Sequence, residues 1–208
     1  MQEVVYFFSR ILFLIVLKIA FKFKVTGRSN LPKKGPFIMA SNHISYADPV
    51  VMGVACNTVP IHFMAKKELF NVPFFHLWFK AVGCIPVDRN SKSSAPLKNA
   101  IQKLKKGKAI GIFPEGKRSK TDEPLSPEPG IGLIVSKTKV PIIPLYISGT
   151  ETALPIGKST LTPCRVSAKI GKAVDIEESM KLSGKKEIYE SIGKKVIDAI
   201  FRLKSEIH

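Results

Sequence analysis

The chain has 208 residues, of which 45% are apolar and 24% are charged, a balance typical of one globular domain with a short appendage. This composition excludes a disordered chain, a collagen-like chain and a polytopic membrane protein. The formal net charge of +17 predicts a surface that attracts phosphates on anionic lipid, on nucleic acid or on an acidic protein.

The most apolar stretch of the chain, residues 4–23, predicts an N-terminal helix. Three basic residues interrupt it: Arg10, Lys18 and Lys22. Its longest central run without a charge is much shorter than the roughly 20 residues that a spanning helix needs. On a helix the three basic residues fall within about 120° of one another, and apolar side chains cover the rest. We therefore expect residues 1–24 to form an amphipathic helix in the membrane interface. A helix packed on the globular body, a true membrane span and a signal peptide are the alternatives.

Residues 25–208 are expected to form one domain in which short apolar runs alternate with helical patterns. The predicted strands are Phe37–Ala40, Ile61–Ala65, Ile85–Val87, Ala109–Phe113, Ile142–Ile147 and Arg165–Ile170. The predicted helices are Pro49–Ala55, Pro73–Ala81, Ala95–Lys106, Ile131–Ser136 and Lys185–Lys204. This alternation indicates an α/β fold with a mostly parallel sheet flanked by helices.

Polar clusters follow three of the predicted strands. They are residues 41–48 (SNHISYAD), residues 88–89 (DR) and residues 114–119 (PEGKRS). Ligands of parallel sheets bind beyond the carboxyl ends of the strands. If the three strands are parallel, one His, two Arg and several carboxylates gather along one edge.

His43 and Asp48 are candidates for a catalytic pair. Five residues apart, they cannot meet readily on a continuous helix, but they can meet in a strand-to-helix turn. Asp48 would then accept the Nδ1–H of His43 and leave Nε2 to take a proton from a substrate hydroxyl. Ser41 and Ser45 are near, but neither is obviously placed as a nucleophile, so an incoming hydroxyl is the expected nucleophile. A structural alternative makes Asp48 the N-cap of the following helix.

The segment from Gly111 to Lys117 matches the spacing of a nucleotide-binding P-loop, G-x-x-x-x-G-K. A P-loop needs Ser or Thr next, where this chain has Arg118. We instead expect Gly116 to allow a close ligand approach and Arg118 to bind a phosphate monoester. Glu115 can accept a hydrogen bond from a ligand hydroxyl or fix an Arg, and Arg89 can act as a second clamp. A surface ion pair is the alternative for each Arg.

The three cysteines, Cys56, Cys84 and Cys164, are widely spaced and form no C-x-x-C motif. They predict neither a zinc site nor a redox pair, and no metal or cofactor is expected. A reducing, cytosol-facing compartment fits this cysteine usage best.

Taken together, these clusters resemble the glycerolipid acyltransferase family, in particular the 1-acylglycerol-3-phosphate acyltransferases. Four motifs of that family occur here in family order. They are N-H-x-x-x-x-D at residues 42–48, glycine with an apolar strand and D-R at residues 83–89, F-P-E-G-x-R-S at residues 113–119, and V-P-I-I-P-V at residues 140–145, where this chain ends the motif with Leu145. One H-x-x-x-x-D is weak evidence, whereas four ordered motifs over half of the chain are specific.

The resemblance implies an α/β acyltransferase domain that moves a fatty-acyl group from a thioester to the 2-hydroxyl of lysophosphatidic acid, giving phosphatidic acid. It implies that His43 and Asp48 act as base and orienting residue. Arg89, Glu115, Gly116 and Arg118 would bind the phosphorylated acceptor. The donor would be acyl-CoA or acyl-carrier protein. The enzyme would act at the cytoplasmic face of an anionic membrane, held in a monotopic or peripheral arrangement by its N-terminal helix.

Lys117 stands where the family usually has Thr, and it adds positive charge beside the expected phosphate. Pro129-Gly130 stands where Lys-Gly is frequent, after a proline-rich acidic loop. Both departures bear on acceptor identity, so glycerol-3-phosphate or another lysophospholipid is an alternative acceptor. A basic protein that binds nucleic acid or anionic lipid without catalysis is a further alternative. It explains the charge but not the ordered motifs, and aromatic residues do not interleave with the basic tracts as nucleic-acid stacking requires. We therefore expect no nucleic-acid partner.

Overall fold

The computed structural model describes residues 2–71, 73–88, 94–119, 121, 123–158 and 160–207. The strands are β1 (Lys24–Thr26), β2 (Ile38–Ser41), β3 (Ile61–Lys66), β4 (Ile85–Val87), β5 (Ala109–Ile112), β6 (Ile142–Ser148) and β7 (Ser167–Ile170). The helices are α1 (Gln2–Phe21), α2 (Asp48–Ala55), α3 (Pro73–Ala81), α4 (Ala95–Lys105), α5 (Pro129–Thr138), α6 (Thr150–Ala153), α7 (Glu177–Met180) and α8 (Lys185–Arg202).

The strands form one seven-stranded sheet in the order β1-β7-β6-β2-β5-β3-β4. The five strands β2 to β6 are mutually parallel, β7 runs antiparallel to β6, and β1 runs parallel to β7. The prediction of a mostly parallel sheet flanked by helices is therefore confirmed. All residues of β2 and β5 are buried, because central parallel strands are covered on both faces and read as continuous apolar runs.

Helices cover both faces of the sheet, and each face has its own apolar core. One core receives side chains from α1 and α2, including Leu17, Phe21 and Met52. The other receives side chains from α4, α5 and α8, including Leu104, Ile134 and Val196. Strands β2 and β5 are neighbours in the sheet and run parallel, so their carboxyl ends are adjacent. The loops that follow these two strands therefore lie side by side at one edge of the sheet.

The N-terminal helix α1 is apolar on two faces. Tyr6 and Ser9 face the body, where the Tyr6 hydroxyl accepts the Ile61 N–H at 3.1 Å and the Trp78 indole donates to the Ser9 hydroxyl at 3.0 Å. The opposite face exposes seven large apolar side chains: Val4, Phe7, Phe8, Leu12, Ile15, Val16 and Ile19. The helix thus packs on the body and also presents an unpaired apolar face.

The prediction that Arg10, Lys18 and Lys22 share one side of the N-terminal helix is wrong for Lys22. The helix ends at Phe21, and Lys22 lies beyond it with a φ of 44°, so only Arg10 and Lys18 lie on the helix. By length and composition alone, the segment Glu3–Phe21, with a mean hydropathy of 2.2, could also cross a membrane. The boundary between residues 24 and 25 stays a prediction.

Candidate active site

The loop that joins β2 to α2 carries His43 and is fixed to strand β6 by Asn42. The Asn42 amide donates to the Ile147 carbonyl at 2.8 Å and accepts the Ile147 N–H at 2.9 Å. Asn42 is fully buried, and its side chain extends the strand pairing beyond the end of β2. The residue before His43 is therefore held rigidly by the neighbouring strand.

His43 and Asp48 meet in the turn before α2. His43 Nδ1 lies 2.8 Å from Asp48 Oδ2, and the backbone N–H groups of Ile44 and Ser45 donate to the same oxygen at 2.7 and 2.8 Å. An ionised carboxylate only accepts hydrogen bonds, so Nδ1 is the donor and Nε2 keeps its lone pair. The predicted contact is present, and it leaves His43 in the tautomer that a general base needs.

The structural alternative, in which Asp48 is the N-cap of α2, differs from the structure by one position. The helix begins at Asp48 itself, its N-cap residue is Ala47, and no side chain caps it. The carboxylate instead turns back into the preceding loop, where it closes the turn that brings His43 to it. Asp48 is fully buried, whereas the His43 side chain keeps 14% of its surface exposed. Within the pair, Asp48 is therefore shielded from solvent, whereas the His43 imidazole is accessible from the site.

Neither nearby serine hydroxyl is bonded to His43. Ser41 donates to the Asn42 side chain at 3.1 Å, and Ser45 donates to the Leu154 carbonyl at 2.8 Å. Both hydroxyls are therefore engaged in holding the loop. This arrangement agrees with the expectation that the nucleophile is a hydroxyl of the substrate.

The loop after β5 packs directly against the His43 loop. The Phe113 ring stacks on the His43 imidazole with a centroid distance of 4.0 Å and an interplanar angle of 19°. The Ser119 N–H donates to the His43 carbonyl at 2.8 Å. Two of the three predicted polar clusters thus meet at one edge of the sheet, as the parallel strand arrangement implies.

Between Phe113 and Ser119 lie four of the predicted acceptor-binding residues. Glu115 is buried, with 2% of its surface exposed. Gly116 has a φ of 66°, a left-handed conformation that favours glycine. Lys117 is exposed, and Arg118 is half-buried. The loop therefore combines one buried carboxylate with two basic side chains that reach solvent.

Arg118 is held by Tyr46, a residue that sequence reasoning missed. Its Nη2 donates to the Tyr46 hydroxyl at 2.9 Å, and its Cζ lies 3.6 Å from the centre of the Tyr46 ring. Guanidinium groups stack favourably on aromatic rings in this geometry. Tyr46 lies inside the H-x-x-x-x-D motif, so its sequence position was the available signal.

The third cluster is only partly described. Arg89 lies outside the described residues, so its role as a clamp stays a prediction. Its neighbour Asp88 is described, and its Oδ2 lies 3.9 Å from Lys67 Nζ at the surface. Among the described ranges, no group of three or more His, Cys, Asp or Glu side chains has an arrangement that could hold a metal ion.

A family model described as Acyltransferase matches residues 22–148, which include the His43–Asp48 pair and the Arg118 loop. This chain belongs to the acyltransferase family. It is 30% identical over 174 residues to 1-acyl-sn-glycerol-3-phosphate acyltransferase of Bacillus subtilis, covering 84% of each chain. It is 31% identical over 171 residues to the protein of the same name from Streptococcus pneumoniae, covering 82% of this chain and 61% of that protein.

The fold agrees with this membership. The crystal structure of the 1-acyl-sn-glycerophosphate (LPA) acyltransferase of Thermotoga maritima superposes with a TM-score of 0.77 at 29% identity, covering 98% of this chain and 80% of that one. The chain is thus an acyltransferase by family, and the hypothesis of a basic binding protein without catalysis is not needed to explain it.

Proposed function

We propose that this acyltransferase moves a fatty-acyl group from an acyl thioester to the 2-hydroxyl of lysophosphatidic acid and so forms phosphatidic acid. The observation that carries the proposal is the 2.8 Å contact of His43 Nδ1 with the buried Asp48 carboxylate, which leaves Nε2 as a base beside a cationic loop. The names of the relatives from Bacillus subtilis and Streptococcus pneumoniae support lysophosphatidic acid as the acceptor.

In this mechanism His43 Nε2 accepts the proton of the 2-hydroxyl as that oxygen attacks the thioester carbonyl carbon. The carbon–sulfur bond of the resulting tetrahedral species breaks, and the departing sulfur takes the proton back from His43. One ester and one free thiol result, and His43 returns to its neutral state. Asp48 keeps the imidazole in the correct tautomer and stabilises the transient imidazolium.

Arg118 is the best-supported ligand for the acceptor phosphate. Its Nη1 is buried and has no acceptor among the described residues, an arrangement that costs free energy until an anion reaches it. Lys117, exposed beside it, adds charge that strengthens attraction to a phosphate monoester. Arg89, Glu115 and Gly116 complete the proposed acceptor site, with Glu115 accepting from a ligand hydroxyl.

We place the enzyme peripherally on an anionic membrane, at its cytoplasmic face, with the exposed face of α1 in the interface. The seven exposed apolar side chains of that face support this placement, because such a surface is rarely left in water. Apolar side chains are also exposed near the His43 loop, on Tyr46 and on the adjoining segment that carries Ile156 and Leu161. These side chains would offer the acyl chain of a lipid acceptor an apolar contact beside the site.

A panel of acceptors and donors tests the proposal. The purified full chain, with mixed vesicles, is offered lysophosphatidic acid, glycerol-3-phosphate or a lysophospholipid with a larger headgroup, each with acyl-CoA and with acyl-carrier protein. We expect thiol release and a product with the mass of phosphatidic acid from lysophosphatidic acid. Product from another acceptor alone would reassign the acceptor, and thiol release without any lipid product would contradict acyl transfer to a lipid. The same panel identifies the acyl donor, because only the donor that the enzyme uses gives the lipid product.

A further inference from the structure

Strand β6 ends in a sharp corner that reaches the buried side of the catalytic pair. The corner runs from Ser148 through Gly149, which has a φ of 88°, to Thr150, the first residue of the short helix α6. A Cβ at Gly149 would lie 2.0 Å from the Arg165 carbonyl oxygen. Only glycine therefore fits this corner, and the corner fixes where the Thr150 side chain points.

The Thr150 hydroxyl donates to Asp48 Oδ1 at 2.6 Å, and Thr150 is fully buried. The two carboxylate oxygens of Asp48 thus have separate partners. Oδ2 accepts from the Ile44 and Ser45 N–H groups and from His43, whereas Oδ1 accepts from Thr150. The Thr150 hydroxyl thus adds a constraint on the orientation of the carboxylate plane beside the three contacts at Oδ2.

The same corner holds the other side of His43. Ile147, three residues before Thr150, exchanges both of its backbone hydrogen bonds with the Asn42 side chain. Strand β6 therefore holds Asn42, the residue before His43, and the corner after β6 holds Asp48, the hydrogen-bond partner of His43. Asp48 and Thr150 are 102 positions apart in the chain, so no local sequence pattern predicts their contact.

We propose that Thr150 is a positioning residue for acyl transfer and that it acts through Asp48 on the orientation and basicity of His43. The inference rests on the proposed role of His43 as the base. Thr150 is fully buried behind the carboxylate, so a substrate at His43 Nε2 would not touch it. Its removal should lower kcat, because a small misplacement of a catalytic group is costly, and should leave KM for the acceptor nearly unchanged.

The test compares Thr150→Val, which keeps the shape and removes the hydroxyl, with Thr150→Ser, which keeps the hydroxyl. Thr138→Val is the matched control, because the Thr138 hydroxyl donates to the Ile134 carbonyl at 2.8 Å within α5, away from the site. We expect Thr150→Val to lower kcat by about 10- to 100-fold with less than about a twofold change in KM. Thr150→Ser and Thr138→Val should both stay within about threefold of the parent.

A second readout needs no substrate and so separates this inference from the proposed function. An imidazole N–H bonded to a carboxylate gives a proton resonance far downfield, which is assigned by its loss in His43→Ala. In the ligand-free full chain we expect this resonance to shift or broaden in Thr150→Val and to remain in Thr150→Ser and Thr138→Val. It tests the positioning of His43 even if lysophosphatidic acid proves not to be the acceptor.

An unchanged resonance in a folded Thr150→Val would overturn the inference, and so would a changed resonance at unchanged kcat. Equal losses in Thr150→Val and Thr150→Ser would also contradict it, because the hydroxyl would then not be the group that matters. Circular dichroism establishes the folded fraction of each variant. Should Thr150→Val not fold, Thr150→Cys takes its place, since a thiol of similar size is a weak donor, with the same expected direction in both readouts.

Discussion

Arg118 and Tyr46 form one unit at the candidate phosphate site, with Arg118 Nη2 2.9 Å from the Tyr46 hydroxyl and Cζ 3.6 Å from the ring centre. The loop after β5 and the loop after β2 are therefore connected at three points: here, where Phe113 stacks on His43, and where the Ser119 N–H donates to the His43 carbonyl. In the proposed mechanism, recognition of the acceptor and activation of its hydroxyl would depend on the same pair of loops. A substitution in one loop is expected to alter the position of side chains in the other.

Replacing Arg118 with Ala should raise KM for a phosphorylated acceptor by about 10- to 100-fold, because a charge-assisted hydrogen bond contributes about 1.5–3 kcal/mol. kcat at saturating acceptor should change much less. Steady-state kinetics with lysophosphatidic acid measures both quantities, and Arg202→Ala on the exposed end of α8 is the control. An equal loss with a non-phosphorylated acceptor would refute the assignment of Arg118 to the phosphate.

Tyr46→Phe should raise the same KM by about two- to fivefold, since it removes the hydrogen bond to Arg118 and keeps the stacked ring. Tyr46→Leu removes both interactions and should cost more than Tyr46→Phe. The two effects should largely disappear when Arg118 is already Ala, which a double-mutant cycle measures. Additive effects in that cycle would show that Tyr46 acts on the substrate directly.

The exposed face of α1 should carry membrane binding. Phe8→Ser, Leu12→Ser and Ile19→Ser together remove three apolar side chains that are 64, 59 and 79% exposed. Each contributes on the order of 1.5 kcal/mol or more when buried, so vesicle partitioning should fall at least tenfold in a flotation assay. Leu182→Ser, a change at a 40% exposed leucine outside α1, is the control.

Undiminished flotation of the triple variant would assign α1 to packing alone. Deletion of residues 1–24 is a poorer test than these substitutions, because Leu17 and Phe21 belong to the core. Anionic and zwitterionic vesicles compared over a range of salt concentrations separate the charge contribution from the apolar one, since electrostatic attraction is screened by salt.

His62 should make the fold acid-sensitive. Burial, and then the nearby charge of Lys103, lowers the pKa of His62 to about 4. Well above pH 6.5 this residue is neutral in both the folded and the unfolded chain. Between about pH 6.5 and pH 4 the unfolded chain binds a proton that the folded chain does not bind, so stability falls as the pH falls.

The expected loss from His62 is about 2–3 kcal/mol between pH 7 and pH 4.5. Urea unfolding of the parent and of His62→Gln at both pH values measures it, and the glutamine amide can still donate to the Gly83 carbonyl that faces His62 Nδ1. The parent should lose more stability than the variant over this range. If the difference in free energy of unfolding between the parent and His62→Gln did not change with pH, the assignment of acid sensitivity to His62 would be contradicted.

The sequence predicts most of the sheet and the meeting of two polar clusters, because apolar runs mark buried parallel strands and parallel strands share an edge. Strand β1 was missed since its three residues, Lys24–Thr26, are too few to show a period. Strand β7 starts at Ser167 rather than Arg165. Strand β4 and helix α3 have their predicted bounds, and the other predicted elements differ by one or two residues at an end, as element ends usually do.

The supporting residues of the site could not be predicted in the same way. Thr150 and Ile147 reach the His43 loop from more than 100 residues away, and only the parallel pairing of β2 with β6 brings them there. Tyr46 was within the motif, but nothing in the sequence indicates that its ring lies beneath Arg118. Motif spacing identifies groups that share a loop, whereas packing decides which groups orient them.

The most direct test of the account is the turnover number of His43→Ala with lysophosphatidic acid and acyl-CoA, at a folded fraction matched to the parent by circular dichroism. General-base catalysis typically contributes about 10²- to 10⁴-fold, and we predict a loss of kcat in that range or above. Turnover within a few-fold of the parent would contradict the central claim that His43 takes the proton of the acceptor hydroxyl.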